Sequence, residues 1–434
     1  MAQVAIWTGD PSPDRWPGDL GLPETDPELA AVLAQERQRA RRQLSLLASE
    51  SISGRAAREA EDVVLARRYA EGLPGARLAG GCDHLNTVEE IARRRACALF
   101  GAEYANVQPH SGTAALMAAY QALCRPGDTI LALDPGCGGH FAHGSPASLA
   151  GRLYRFVHYA VRRDTGRIDP DEVQAVARRE RPNLLVAGAS AYPRAMDFPA
   201  FASIAASVGA RLLVDMAHLG GLVAAGLHPN PVPWADVVVA ATHKTLCGPR
   251  GGMVLCRGAC ARAVDRAVFP GIQGAAQMQS VAAKAVCLLA AAGPEFAAYQ
   301  RRVVRNAAAL AAALTSCGLH LVTGGTDTHL LVVDLRAQGL SGRQAERALA
   351  AAGILCNRQP VPFDPLPPVR SSGIRFGTTV VTARGMDQPE MREIAAISAA
   401  VLTAAEAGRQ ACDAVAASAA LQVAELAGRF PLPE

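Results

Sequence analysis

Residues Ala241–Gly252 read ATHKTLCGPRGG, and Lys244 within them is one of only two lysines among 43 basic residues; the other is Lys284. Arginine stays protonated in proteins, whereas lysine can lose its proton and act as a nucleophilic amine. A lysine kept in an arginine background therefore points to amine chemistry. Lys284 lies in the helical stretch SVAAKAV. The sequence supplies no role for it, and its replacement by arginine is expected to be nearly silent.

Upstream of Lys244 the run DVVVAATH (236–243) is apolar and branched, and four similar runs flank it: TILALD (129–134), NLLVAGAS (183–190), RLLVDMA (211–217) and GMVLCR (252–257). Helical stretches separate them, among them GTAALMAAYQALC (112–124), PDEVQAVARRE (170–180) and FASIAASVGA (201–210). Short apolar runs alternating with helices predict an α/β fold whose mostly parallel sheet is covered on both faces. A long helical stretch follows at about 276–317. HLLVVDLR (329–336), a helix from Ser341 to Ala352, GIRFGTT (373–379) and alanine-rich closing helices then predict a smaller C-terminal α+β domain. Residues 1–25 read as an irregular arm and residues 27–45 as a helix starting at Thr25-Asp26-Pro27. The domains are drawn at 1–50 (arm and helix), 51–294 (large domain) and 295–434 (small domain).

The 434 residues are half hydrophobic and 19% charged, with a net charge of +4, which describes a folded globule and gives no nucleic-acid stripe. No apolar run reaches membrane-spanning length and the N-terminus lacks a signal-peptide pattern, so a cytoplasmic protein with no membrane partner is expected. Eleven widely spaced cysteines read as reduced thiols, and neither Cys256/Cys260 nor His140/His143 has the further ligands of a metal site; no metal is expected.

In open α/β sheets ligands bind beyond the carboxyl ends of the strands. Three features fall there. His110-Ser-Gly-Thr113 opens a helix, Asp215 ends the strand RLLVDMA, and His243-Lys244 ends the strand DVVVAATH. A helix N-terminus receives phosphate, a carboxylate keeps a pyridine nitrogen protonated, and a lysine forms a Schiff base. Together these are the parts of a pyridoxal 5'-phosphate enzyme.

The ordered segments LLASES, RYAEGLPG, GGCDHLNTVEEIARRRACALFGAEYANVQPHSGT, GGHFAHGSP, VDMAHLGGLVAAGLHPNPVPWADVV, THKTLCGPRGG, GGTDTHLLVVDLR and SSGIRFGT resemble the serine hydroxymethyltransferase family over roughly residues 45–400. The resemblance implies a fold type I, aspartate aminotransferase-like transferase. It implies that Lys244 binds the cofactor covalently, that Asp215 faces the pyridine nitrogen and that His140 stacks on the ring. Ser111, Gly112 and Thr113 would hold the phosphate, while Ser190, His218 and His243 line the cofactor. Arg375 and Ser49 would grip the substrate carboxylate. Tyr69, Glu71 and the backbone near Gly274 would come from a neighbouring subunit, with Glu71 as an acid–base group, in a homodimer with shared active sites or a tetramer of such dimers.

The chain departs from the family where folate binds. The family's Arg-Tyr-Tyr-Gly-Gly-Cys-Glu is Arg77-Leu78-Ala79-Gly80-Gly81-Cys82-Asp83; its leucine before Gly-Gly-His is Pro135, and its pterin-binding asparagine is Gln359. Tetrahydrofolate is thus a doubtful cofactor. The expectation is a folate-independent aldolase or transaldolase that cleaves and forms the Cα–Cβ bond of β-hydroxy-α-amino acids such as serine or threonine, with an amino acid and an aldehyde as small-molecule partners. The family's threonine aldolase-like offshoots act in this way. An ordinary tetrahydrofolate-dependent hydroxymethyltransferase and a silent binding paralogue stay open as alternatives.

Overall fold

The computed structural model describes residues 20–61 and 63–433. The expected arm at 1–25 lies mostly outside them; its last residues, Leu22–Thr25, form a helical turn rather than irregular chain. Seven strands build the main sheet: β1 (Tyr104–Asn106), β2 (Thr129–Leu133), β3 (Arg155–Tyr159), β4 (Leu184–Gly188), β5 (Arg211–Asp215), β6 (Val237–Ala241) and β7 (Gly252–Cys256). Their spatial order is β1-β7-β6-β5-β4-β2-β3. β7 alone runs against its neighbours, pairing antiparallel with both β1 and β6.

Alternation along these strands sends side chains to opposite faces. Leu131, Leu185, Val214, Val238 and Leu255 enter one buried cluster, while Ile130, Leu184, Leu213, Val239 and Val254 enter the other. Both faces are dry, so the strands read as continuous apolar runs instead of an alternating pattern. The edge strands β1 and β3 were not visible in the sequence. β3 reads RFVHY and is only partly covered, which places charged and aromatic residues where the central strands have valine and leucine.

The stretch expected as one helix near 276–317 is two, Met278–Ala291 and Pro294–Ser316, broken at Gly293, which forms the N-cap of the second helix, with Pro294 at its first position. A second sheet of β8 (His320–Leu321), β9 (Leu330–Asp334), β10 (Asn357–Gln359) and β11 (Gly373–Gly377) follows, antiparallel in the order β8-β9-β11-β10. The N-terminal segment joins this second body: Leu44–Ser45 pairs in parallel with Ile354–Leu355, and Leu44 and Leu46 are fully buried in its core. The N-terminal helix spans Pro27–Arg42, with the Asp26 carboxylate accepting the Leu29 N–H at 2.8 Å as a cap. No single helix among the described residues is long and apolar enough to cross a membrane.

Arg384, 5% exposed, fastens the Pro27–Arg42 helix to the Arg409–Arg429 helix. Its guanidinium donates to the carbonyls of Ala40, Arg41 and Gln43 at the end of the Pro27–Arg42 helix, and to Ala427 and Phe430 at the end of the Arg409–Arg429 helix. Helix C-termini carry partial negative charge and unsatisfied carbonyls, so one cation serves both. Arg384→Ala should destabilise this body by roughly 2–4 kcal/mol, because several charged hydrogen bonds vanish and leave partly buried carbonyls without donors. A melting temperature equal to the parent's would refute that role.

Candidate active site

A cavity of about 520 Å³ opens between the two sheets. The large sheet contributes from the carboxyl ends of its strands: Gly139 and His140 follow β2, Ser190 follows β4, His218 follows β5 and Lys244 follows β6. The second sheet contributes Asn357, Arg358 and Gln359 from β10 and Arg375 from β11. Ser49 enters from the N-terminal segment. Of the residues singled out in the sequence, Ser49, His140, Ser190, His218, Lys244 and Arg375 therefore share one cavity.

Asp215 lies behind this wall at the end of β5, 7% exposed. Burial raises its pKa, but His143, His140 and the Ala217 amide outweigh burial and hold the carboxyl down at about 2, so it is ionised in the folded protein. His143, fully buried, places Nε2 3.2 Å from Asp215 Oδ2, within ion-pair range although off the line of a good hydrogen bond. The sequence offered His143 only as a rejected metal ligand; its spacing of three from His140 was the available signal.

Burial pushes His140 and His243 down to about 4 and His329 to about 3, and carries His218 well below the usual imidazole range, with nearby Lys244 adding to each shift. The four imidazoles are neutral at neutral pH. His218 and His329 stack with ring centroids 5.6 Å apart, and His329 Nε2 lies 3.2 Å from the Ala48 carbonyl. Unpaired positive charge in the cavity thus resides on Lys244 and Arg375, since the third cation of its lining, Arg358, is paired with Glu346. Arg375 is 8% exposed, and burial lowers its pKa to about 10, which leaves it charged. Its Nε donates to Asn357 Oδ1 at 3.1 Å and its Nη1 to the Ser190 carbonyl, and no carboxylate pairs with it among the described residues. Asn357 faces Arg375 across the β10–β11 ladder, a pairing that cannot be read before the register is known.

Ser111 caps the Gly112–Leu123 helix, its hydroxyl accepting the Ala114 N–H at 3.0 Å. The amides of Gly112 and Thr113 have no acceptor among the described residues. Two free amides at a helix N-terminus fit a phosphate. Tyr69, Glu71 and Gly274 gather elsewhere: Tyr69 donates to Glu71 Oε1 at 2.9 Å, and a β-carbon on Gly274 would lie 3.5 Å from the same oxygen. None of the three lines the cavity.

Residues 22–398 match the family model of serine hydroxymethyltransferase. The chain belongs to that family, whose members are fold type I, pyridoxal phosphate-dependent transferases acting on small amino-acid substrates and typically oligomeric. The donor set suits the cofactor: free helix-terminal amides, a buried carboxylate kept ionised, and an amine in the same cavity as an unpaired guanidinium.

Burial lowers the Lys244 pKa from 10.5 to about 8, with Asp215 opposing the shift and Arg375 adding to it. The folded state is penalised for a charged Lys244 below about pH 8, and the penalty lifts as pH rises toward 10.5. Reductive labelling of the apoprotein by pyridoxal phosphate and borohydride, quantified on the Lys244 peptide by mass spectrometry, should therefore be half-maximal near pH 8. A midpoint near that of a free lysine would show that the amine is solvated.

Proposed function

We propose that the protein is a folate-independent aldolase or transaldolase of β-hydroxy-α-amino acids. Lys244 would hold pyridoxal phosphate covalently, Asp215, backed by His143, would keep its pyridine nitrogen protonated, and His140 would adjoin its ring. Ser111, Gly112 and Thr113 would receive its phosphate, and Ser190, His218 and His243 would complete its surroundings. When bound, the cofactor supplies an electron sink for the pair that the broken Cα–Cβ bond leaves on Cα. Arg375, held by Asn357, and Ser49 orient the substrate carboxylate. Glu71, with Tyr69, moves the proton of the β-hydroxyl; these two and Gly274 reach the cavity from the neighbouring subunit of a homodimer.

The observation that carries the folate-independent reading is the outer wall of the cavity. It consists of Pro135, Phe141, Pro360, Pro368 and Val369 beside Gln359, with Arg358 already paired to Glu346 at 2.7 Å. The Gln359 amide leans on the Pro360 carbonyl at 3.5 Å. Leu78 is 72% exposed and Ala79 packs on the large core, where the family carries two tyrosines. An apolar wall with no free charge suits an uncharged aldehyde body. Cleavage of the Cα–Cβ bond releases one aldehyde, and a second aldehyde taken up at this wall gives a new β-hydroxy-α-amino acid.

Two outcomes follow. Losing a stacked aromatic ring and a pterin hydrogen bond weakens tetrahydrofolate by roughly 2–4 kcal/mol, a factor of roughly 30–1000. Calorimetric titration of the glycine complex should show no micromolar binding, and threonine cleavage and aldehyde exchange should run without folate. Serine cleavage that requires tetrahydrofolate would return the protein to ordinary hydroxymethyl transfer. Separately, Arg375→Ala should weaken amino-acid binding by roughly 2–5 kcal/mol while the cofactor still binds. Equal amino-acid affinity in variant and parent would place the carboxylate elsewhere.

A further inference from the structure

Lys284 is 1% exposed, among the largest side chains completely enclosed by the fold. The sequence-based expectation that an arginine there would be silent fails on this packing, because no space remains for a larger head group. From the Met278–Ala291 helix, Nζ donates to three carbonyl oxygens: Val107 at 2.7 Å, Pro109 at 3.0 Å and Gly252 at 3.0 Å. These account for all three ammonium protons. The nearest acid, Glu89, is engaged by Arg77 and Gln108, so the carbonyls are its partners.

The three acceptors belong to two segments. Val107 and Pro109 lead directly into His110-Ser111-Gly112-Thr113, the turn with the free amides. Gly252 closes the loop that begins at Lys244 and starts β7. The segments touch independently as well: the Gly252 amide donates to the Pro109 carbonyl at 3.0 Å, and a β-carbon on Gly112 would lie 3.2 Å from Ala241 Cβ. The cofactor's phosphate and its covalent attachment belong to these two segments, so their spacing must match one rigid molecule.

We infer that Lys284 is a positioning residue: its ammonium clamps the Val107–Pro109 segment to Gly252 and thereby sets the distance between the phosphate-binding turn and the loop of Lys244. The inference rests on the reading of Ser111–Thr113 as the phosphate cradle. Burial pulls the amine toward neutrality and Glu89 opposes this, while three converging carbonyl dipoles favour the charged form. A neutral side chain of the same length would leave the three carbonyls buried without a donor and the two segments free to part.

The test compares pyridoxal phosphate with pyridoxal, which lacks the phosphate, as ligands of the apoprotein in spectrophotometric titrations. In the parent, pyridoxal phosphate should bind far more tightly. Lys284→Met should weaken pyridoxal phosphate by at least about tenfold and change pyridoxal by less than about threefold, since the loss falls on the link between the two anchoring points. A general loss of stability would weaken both ligands alike, and that result, or an unchanged pyridoxal phosphate affinity, overturns the inference. Should Lys284→Met not accumulate in folded form, Gly251→Ala decides, because its β-carbon would fall 2.4 Å from Lys284 Cε and displace the ammonium without deleting it. It should reproduce the phosphate-selective loss, and parental selectivity in Gly251→Ala would overturn the clamp. A parent that binds both ligands equally would defeat the cradle and the clamp together, whereas a selective parent with an equally selective Lys284→Met would defeat the clamp alone.

Discussion

A β-carbon on Gly252 would stand 2.3 Å from the carbonyl oxygen of Ser111. The backbone of β7 therefore lies against the turn that opens the Gly112–Leu123 helix, closer than any side chain would permit. β7 returns antiparallel between β1 and β6, and the approach holds the end of β6, with His243 and Lys244, beside the helix N-terminus. The rest of the cavity is arranged around that junction. Asp215 ends the next strand, the β2 loop carries His140 over it, and the second sheet supplies Arg375 from across the cleft.

Much of this was legible because buried parallel strands have a distinctive composition. TILAL, LLVAG and VVVAA could hardly be anything else, and the residues at their carboxyl ends followed once the strands were placed. The edge strands were hidden, β1 because it is only three residues long and β3 because a half-covered strand tolerates arginine and histidine. Gly293 and Pro294 marked a helix break, but strong helix formers on both sides masked it. In the site, Lys244, Asp215 and the helix N-terminus were readable as chemistry at strand ends. Asn357 and His329 were not, because their roles come from cross-strand register and from ring stacking between segments distant in sequence. Lys284 stands out in the sequence by rarity alone, since nothing local distinguishes an enclosed lysine from one on a solvated helix face.

Electrostatically the cavity is built by subtraction. Four imidazoles lose their charge to burial, Asp215 keeps its charge through specific neighbours, and Arg375 remains a cation without an acid partner among the described residues. Water is a poor competitor for a desolvated guanidinium, so an incoming carboxylate gains more there than at a surface arginine. The same subtraction makes the Lys244 amine available near neutral pH, since the dry surroundings and Arg375 both disfavour its ammonium form.

The pairing of Leu44–Ser45 with Ile354–Leu355 has a bearing on how the chain is made. During synthesis the apolar Leu44-Ser-Leu46 segment emerges roughly 300 residues ahead of its partners, a delay of about 15–60 s at ordinary ribosomal speeds. The large sheet, contained between residues 104 and 256, can close in the meantime. The second body cannot, because the carbonyls of Ala427 and Phe430 that Arg384 binds leave the ribosome later still. Over that interval the nascent chain therefore carries an unpaired apolar strand, which gives a ribosome-associated chaperone a defined segment and a defined time in which to act.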